Sequence, residues 1–209
     1  MSDRPAARPS PGRPTQIDRA ELARVAIELF KSRGYDAVSM EDVATAAGVG
    51  RRSLFRYFPS KADLVWDGVD PVSAELRRQL EAAASDIPLI DAYIDAFIRA
   101  LSTDAIDLEL SRTRLRIIGS HPELFAQASM RLVDNSTVLT AFVEGRRKDL
   151  AGTAGIPALA DVLGTITYSA LVYWATHTED DRPDACLRDA GRALAGLGTE
   201  PGELPNSPS

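Results

Sequence analysis

Arg51, Arg52, Ser53, Phe55, Arg56, Tyr57 and Lys61 fall within eleven residues and form the densest group of chemistry-bearing side chains in the sequence. The chemistry they suit is recognition of double-stranded DNA. A guanidinium can fork onto O6 and N7 of guanine, and an aromatic edge such as Phe55 can touch a thymine methyl. The hydroxyl of Tyr57 and the ammonium of Lys61 would meet phosphates at the far end of the same surface. For this the cationic groups must share one face of a short helix. Leu54 and Phe58, four residues apart, make a buried edge and turn Arg52 and Arg56 to the opposite side. On pattern alone the alternative is a small helical hairpin with a solvated arginine face.

The flanking residues position that helix. Ser39 followed by Asp42 reads as a capping box that starts a helix at Met40, with Val43, Ala46 and Ala47 on its apolar face. Gly48 supplies the left-handed stop, Val49 an apolar plug, and Gly50 the next N-cap, without a side chain to satisfy a helix N–H. Upstream, residues 18–32 carry Leu22, Val25, Ala26, Leu29 and Phe30 at helical spacing, with Asp18 to cap the start and Gly34 to stop it. Tyr35 and Val38 close this small core. Downstream, Ser60 caps a fourth helix containing Leu64, Val65 and Trp66, which the segment 68–71 then breaks, because Pro71 disfavours helical geometry at Asp70. A second helical piece runs on to about Ala84.

Residues 17–65 resemble the N-terminal DNA-binding domain of the TetR/AcrR family of bacterial transcriptional regulators. The matching residues are Ala26, Leu29-Phe30, Arg33-Gly34-Tyr35, Ser39, Val43-Ala44, Ala47-Gly48-Val49, Leu54 through Phe58 and Ser60-Lys61. One departure is Gly50, where the family usually carries Ser or Thr; it bears on one phosphate contact and leaves the motif intact. The resemblance implies an all-α protein of about nine helices: a three-helix helix-turn-helix domain (17–65), then a helical effector-binding and dimerisation domain (66–198). It implies a DNA-contact set of Ser39, Gly50, Arg51, Arg52, Ser53, Phe55, Arg56, Tyr57 and Lys61. The helix after Ser60 would join reading head to body and act as a lever.

Composition agrees with a globular protein long enough for a real core: 209 residues, 44% hydrophobic and 26% charged. No apolar run approaches the ~20 residues of a membrane span and no signal-peptide core is present, so the expected location is the cytoplasm. A lone Cys186 allows no internal disulfide and reads as a small core residue. The net charge of −6 divides unevenly: residues 1–61 hold 11 Lys/Arg and 7 Asp/Glu, a net +4, and residues 62–209 hold 13 and 23, a net −10. A basic head on an acidic body discourages wrong orientations on a duplex. Residues 1–16, with four prolines, and the Pro/Gly/Ser-rich residues 199–209 are expected to be disordered. Arg4, Arg8 and Arg13 either add phosphate or minor-groove contacts or remain a solvated tail.

From Pro88 onward every periodic stretch is helical: about 88–101, 105–120, 123–149, 156–177 and 183–196. The stretch 156–177 is apolar all round and so needs cover on all sides, part of it from beyond its own chain. Together with a seam of Leu187, Ala190, Leu194 and Leu197 it predicts a homodimer through a four-helix bundle, with Leu163 and Leu171 in the same interface. A two-fold pair of reading helices, roughly 34 Å or more apart, would read a palindromic operator.

Family analogy places an effector cavity in the body. Candidate lining residues are Tyr93, Phe97, Leu115, Phe125, Phe142, Tyr168 and Trp174, with Arg112 or Arg116 to anchor an anionic group; otherwise the aromatics are plain core and the arginines a solvated face. The string 112–124, with Phe55 through Lys61, resembles actinobacterial members near the mycofactocin-type regulators, which implies a long apolar or acyl-CoA-like effector. An enzyme is the competing class. His121 and His177 are the only histidines and do not form a metal-spaced pair, and neither a phosphate-cradling glycine loop nor a nucleophile elbow occurs. No catalytic residue, metal or cofactor is therefore expected. A third reading is a DNA-binding protein whose body only dimerises or meets a protein partner.

Overall fold

The computed structural model describes residues 18–67, 70–104, 106–127 and 133–197. Every regular element among them is helical: eleven α-helices and one short 3-10 turn. The expected basic arm with Arg4, Arg8 and Arg13 and the expected tail 199–209 lie outside the described residues.

The chain enters on α1 (Arg19–Arg33), whose cap Asp18 accepts a hydrogen bond from the Ala20 N–H and whose end is set by Gly34 at φ 86°. Helix α2 (Met40–Ala46) starts from a complete capping box between Ser39 and Asp42. Gly48, at φ 65°, supplies the left-handed residue of the turn. Helix α3 (Arg51–Tyr57) then starts from Gly50 with no side-chain cap. Leu22, Ile27, Phe30, Val43, Leu54 and Phe58 interlock the three helices in one buried cluster. Full burial of each large side chain is worth roughly 1.5–3 kcal/mol, which is why three such short helices hold together.

Helix α4 (Lys61–Trp66) repeats the capping device at Ser60 and Asp63, and its three apolar residues Leu64, Val65 and Trp66 are all buried. The break comes earlier than expected: Asp67 is already extended, and Asp70 and Pro71 lie inside the next helix, whose first turn tolerates a proline. The body continues through α5 (Asp70–Glu81), α6 (Leu89–Ala100), α7 (Leu108–Ser120) and the single turn α8 (Pro122–Phe125), then α9 (Val133–Arg146), a 3-10 turn (Lys148–Leu150), α10 (Gly155–His177) and α11 (Asp184–Gly196). A second cluster, including Leu76, Phe97, Leu139, Val143, Leu163 and Leu187, cores α5, α6, α9, α10 and α11.

Head and body are not separately cored. Ile117 and Ile118 of α7, Leu124 of α8 and Tyr168 of α10 belong to the same cluster as the head residues and Trp66. Helix α1 lies against α7, and Lys31 pairs with Glu109 across that seam at 3.1 Å. Gly119 allows α7 to approach α10 closely: a Cβ there would sit 2.8 Å from Val172 Cγ1.

Two expectations need correction. The stretch 123–149 is not one helix: α8 closes with the Ala126 N–H donating to the Pro122 carbonyl and the Gln127 N–H to the Leu124 carbonyl, and α9 begins at Val133. That turn sets Leu124 into the shared cluster. Further, α10 is by length and composition apolar enough to cross a membrane, against the expectation that no such run exists. In this fold it packs against α6, α7, α9 and α11, burying Ile156, Leu163, Tyr168 and Trp174.

Candidate nucleic-acid interface and interior site

Burying Leu54 and Phe58 beneath α3 leaves Arg51, Arg52, Phe55 and Arg56 exposed on its outer side, as the spacing predicts. Ser53 and Tyr57 are half-buried at its margins. The Arg51 guanidinium lies 5.5 Å from the Phe55 ring centroid and 3.8 Å from Glu41 of α2, and Arg56 lies 5.1 Å from the Tyr57 ring. The Arg52 side chain makes no hydrogen bond or ion pair among the described residues. The surface is thus cationic, aromatic and free to meet an anionic, stacked polymer.

The edges of the expected contact set are otherwise engaged. The Ser39 hydroxyl donates to the Asp42 carboxylate at 2.5 Å and accepts from the Asp42 N–H, and this bond, with the Ser39 backbone N–H, holds the Asp42 carboxyl below its ordinary range. Lys61 Nζ donates to the carbonyls of Tyr35 and Val38 at 2.7 and 3.0 Å and sits 4.1 Å from the Tyr35 ring centroid. It clamps the loop after α1 to α4. Arg19, which lies outside the expected set, ties the other side: its guanidinium lies 4.6 Å from the Phe58 ring, pairs with Asp67 at 2.6 Å and donates to the Tyr57 carbonyl. Its signal was present in an arginine at the first turn of a helix that must pack on α3 and α4.

The residues expected around an effector separate into distinct groups. Tyr93 is buried in the second cluster, where its hydroxyl meets Thr167 at 2.9 Å, and its ring lies 6.1 Å from Phe97; burial pushes its pKa up. Phe142 packs against that cluster beneath the Arg146 guanidinium, and Leu115 packs against the first. Tyr168 stacks with Trp66 at 6.1 Å between ring centroids and tilts against Phe125 at 5.4 Å.

Both arginines expected as anchors are engaged on backbone carbonyls, although Arg112 Nε is buried with no partner among the described residues. Arg112 donates to the carbonyls of Trp174, Thr178 and Asp180 and lies over the Trp174 ring at 4.8 Å, while Arg116 donates to the Ala175 carbonyl at 2.6 Å. They cap the C-terminal end of α10, where unpaired carbonyls and the helix dipole favour cations. The buried arginine is Arg114, only 6% exposed. A helical repeat of 3.6 puts Arg112 and Arg116 on one face and Arg114 opposite, in the stripe of Leu110, Ile117 and Ile118; that periodicity was legible in the sequence.

The expected interface residues also divide. Leu163 and Leu187 are 1% and 0% exposed within the chain's own core, so they support the outer face from beneath instead of lining it. Leu171, Ala190 and Leu194 are half-buried, and Leu197 is exposed. The large apolar side chains exposed on α10 are Val162 and Tyr173, with the Tyr173 ring stacked on His177 at 4.6 Å.

Comparison with known proteins agrees with this architecture at both ends. Residues 22–66 match the family model for bacterial regulatory proteins of the tetR family, and residues 87–197 match that for the MftR C-terminal domain. The chain is similar to the protein of Mycobacterium tuberculosis named as mycofactocin biosynthesis transcriptional regulator MftR, 33% identical over 164 residues that cover 78% of this chain and 82% of that one. Among solved structures it is similar in fold to Thermus thermophilus FadR, a TetR-family transcriptional repressor in complex with lauroyl-CoA (TM-score 0.60, 20% identity, 92% of this chain and 100% of that one). A TetR-family protein of Syntrophomonas wolfei is likewise similar (TM-score 0.61, 14% identity, 90% and 98%). With an exposed arginine helix on a capped three-helix head and both family models matched in order, the chain belongs to the TetR family of helix-turn-helix DNA-binding regulators.

Proposed function

We infer that the protein works in the cytoplasm as a homodimeric repressor that grips a palindromic operator with two copies of α3 and lets go when a small hydrophobic or acyl-type effector enters the body. The observation that carries this reading is the exposed set Arg51, Arg52, Phe55 and Arg56 on a helix anchored by the buried Leu54. The outer apolar face of α10 and α11, with Val162, Tyr173 and Leu197 exposed, supports pairing of two chains. Kinship with the mycofactocin-type regulators rests on the match to MftR. An acyl-type ligand is suggested by the aromatic cluster Trp66, Phe125 and Tyr168, and by the lauroyl-CoA complex of the Thermus relative.

The mechanism follows from where α4 is held. Its first residue, Lys61, is clamped to Tyr35 of the head, and its last, Trp66, stacks on Tyr168 of the body. A ligand that binds better to a second arrangement of Tyr168 and Phe125 draws Trp66 with it, turns α4 and changes the spacing of the two reading helices. A coupling of ~1–3 kcal/mol lowers operator affinity by roughly 5- to 150-fold.

Footprinting of the purified protein on DNA upstream of its own gene is the direct test. Protection of a two-fold symmetric site supports the reading. Absence of any protected palindrome, or a monomer at working concentration, overturns it.

A further inference from the structure

Two side chains of the first cluster hold buried polar atoms without a hydrogen-bond partner among the described residues, Trp66 Nε1 and Tyr168 Oη, and so does Arg114, through its Nε, on the α7 face that carries Ile117 and Ile118 of that cluster. They come from α4, α7 and α10, the elements that meet where head joins body. Indole and guanidinium N–H groups are donors only, and a phenol hydroxyl can donate. Three unmet donors on three elements that pack together ask for an acceptor.

Arg114 sharpens the requirement, because an arginine keeps its charge inside a protein and a buried charge without a partner is costly. Burial acts to lower its pKa, opposed by the carboxylates of Asp67 and Asp107. Both of those are committed elsewhere. Asp67 is paired with Arg19 at 2.6 Å, and Asp107 caps α7 by accepting from the Leu110 N–H at 2.9 Å. The Arg114 side chain forms no hydrogen bond or ion pair among the described residues. Arg112 and Arg116, two residues to either side, are by contrast held on backbone carbonyls of the α10 end and the residues after it, although Arg112 Nε is also buried without a partner among the described residues.

We propose that Arg114, together with Tyr168 and Trp66, receives the carboxylate head of an apolar monocarboxylic acid whose hydrocarbon body lies against Phe125, Tyr168 and Trp66. This rests on the effector reading above and narrows it: the ligand is a free acid bound head-inward, not a neutral hydrocarbon and not a thioester whose charge lies far from the acyl chain. An anion at Arg114 would satisfy the charge and at least one orphaned donor together, and charge-assisted bonds of this kind are the strong ones. The same contact would pull on Trp66, the body end of α4, which gives the ligand its route to the DNA-binding head.

The full-length protein can be titrated calorimetrically with decanoate, 1-decanol and decanoyl-CoA, and each complex tested for release of operator DNA. The expected result is that decanoate binds roughly 10- to 100-fold more tightly than 1-decanol, and that Arg114→Met removes this advantage while leaving 1-decanol affinity unchanged. Arg114→Lys, which keeps the charge, should recover part of the decanoate affinity. Tyr168→Phe should weaken decanoate and spare 1-decanol, and it provides the reading should Arg114→Met not fold. Equal affinity for decanoate and 1-decanol, or an Arg114→Met protein that binds decanoate as the wild type does, overturns the proposal. Decanoyl-CoA that binds and releases DNA equally in wild type and Arg114→Met, with decanoate inert, overturns the buried carboxylate but leaves the effector reading standing. If no probe binds, while operator affinity is normal, both fail.

Discussion

The His121 ring, at the corner between α7 and α8, meets the Tyr35 ring edge-on at 4.8 Å, and the Lys61 ammonium sits 4.1 Å from the same Tyr35 ring. His121 is also held by the Ile117 carbonyl, with its Nδ1 at 2.6 Å, and faces Asp36 at 3.7 Å. One aromatic side chain therefore joins the corner of the body to the first residue of α4 and to the head.

Tyr35→Ala should therefore cost both stability and coupling. Truncation of a large buried aromatic removes about 3 kcal/mol or more. Tyr35→Phe keeps the ring contacts and should lie close to wild type. Urea unfolding of the two variants, with operator affinity measured in parallel, checks this; equal stability of Tyr35→Ala and wild type would show that the ring stack does not hold head to body.

Arg52→Ala and Arg56→Ala remove exposed groups from α3 without touching its buried side. Each should weaken specific operator binding by about 1–3 kcal/mol in every half-site where that arginine reads a base, with thermal stability nearly unchanged. Mobility-shift titration against the operator and a scrambled duplex separates the outcomes. Unaltered affinity in both variants would mean that another surface reads the bases.

The capping box of α2 links pH to the head. Hydrogen bonds from the Ser39 hydroxyl and then its backbone N–H depress the Asp42 pKa, so the stability this group contributes is present above its unfolded pKa and is lost as pH falls through the lower, folded value. Ser39→Ala should destabilise by about 1 kcal/mol, as loss of an N-cap does. Asp42→Asn should flatten the acid limb of the stability curve. Thermal melts across the acid range read both effects, and an unchanged acid limb in Asp42→Asn would remove Asp42 from the account.

Tyr173→Asp and Val162→Glu place charges on the outer face of α10, where the wild-type side chains are 55% and 41% exposed in the single chain. If that face pairs two subunits, each variant should shift the protein to monomers by sedimentation velocity, with helical content retained. Dimers as stable as wild type would move the interface elsewhere.

Much of the head was legible because its signals are local. Ser39 and Asp42 are three residues apart, Gly48 needs its left-handed backbone whatever packs on it, and the spacing of Leu54 and Phe58 alone decides where Arg52 and Arg56 point. Periodicity likewise located the body helices to within a few residues, although it ran α8 and α9 together. What only the tertiary structure decided was which of several chemically equivalent residues are spent and which are left over. Arg112, Arg114 and Arg116 look alike in sequence, yet two cap the end of a distant helix and the third is buried without a partner, because partners some sixty residues away determine where each guanidinium goes. Leu163 and Leu187 looked like interface until their own chain covered them, since an apolar stripe records that a side chain is buried but not against what.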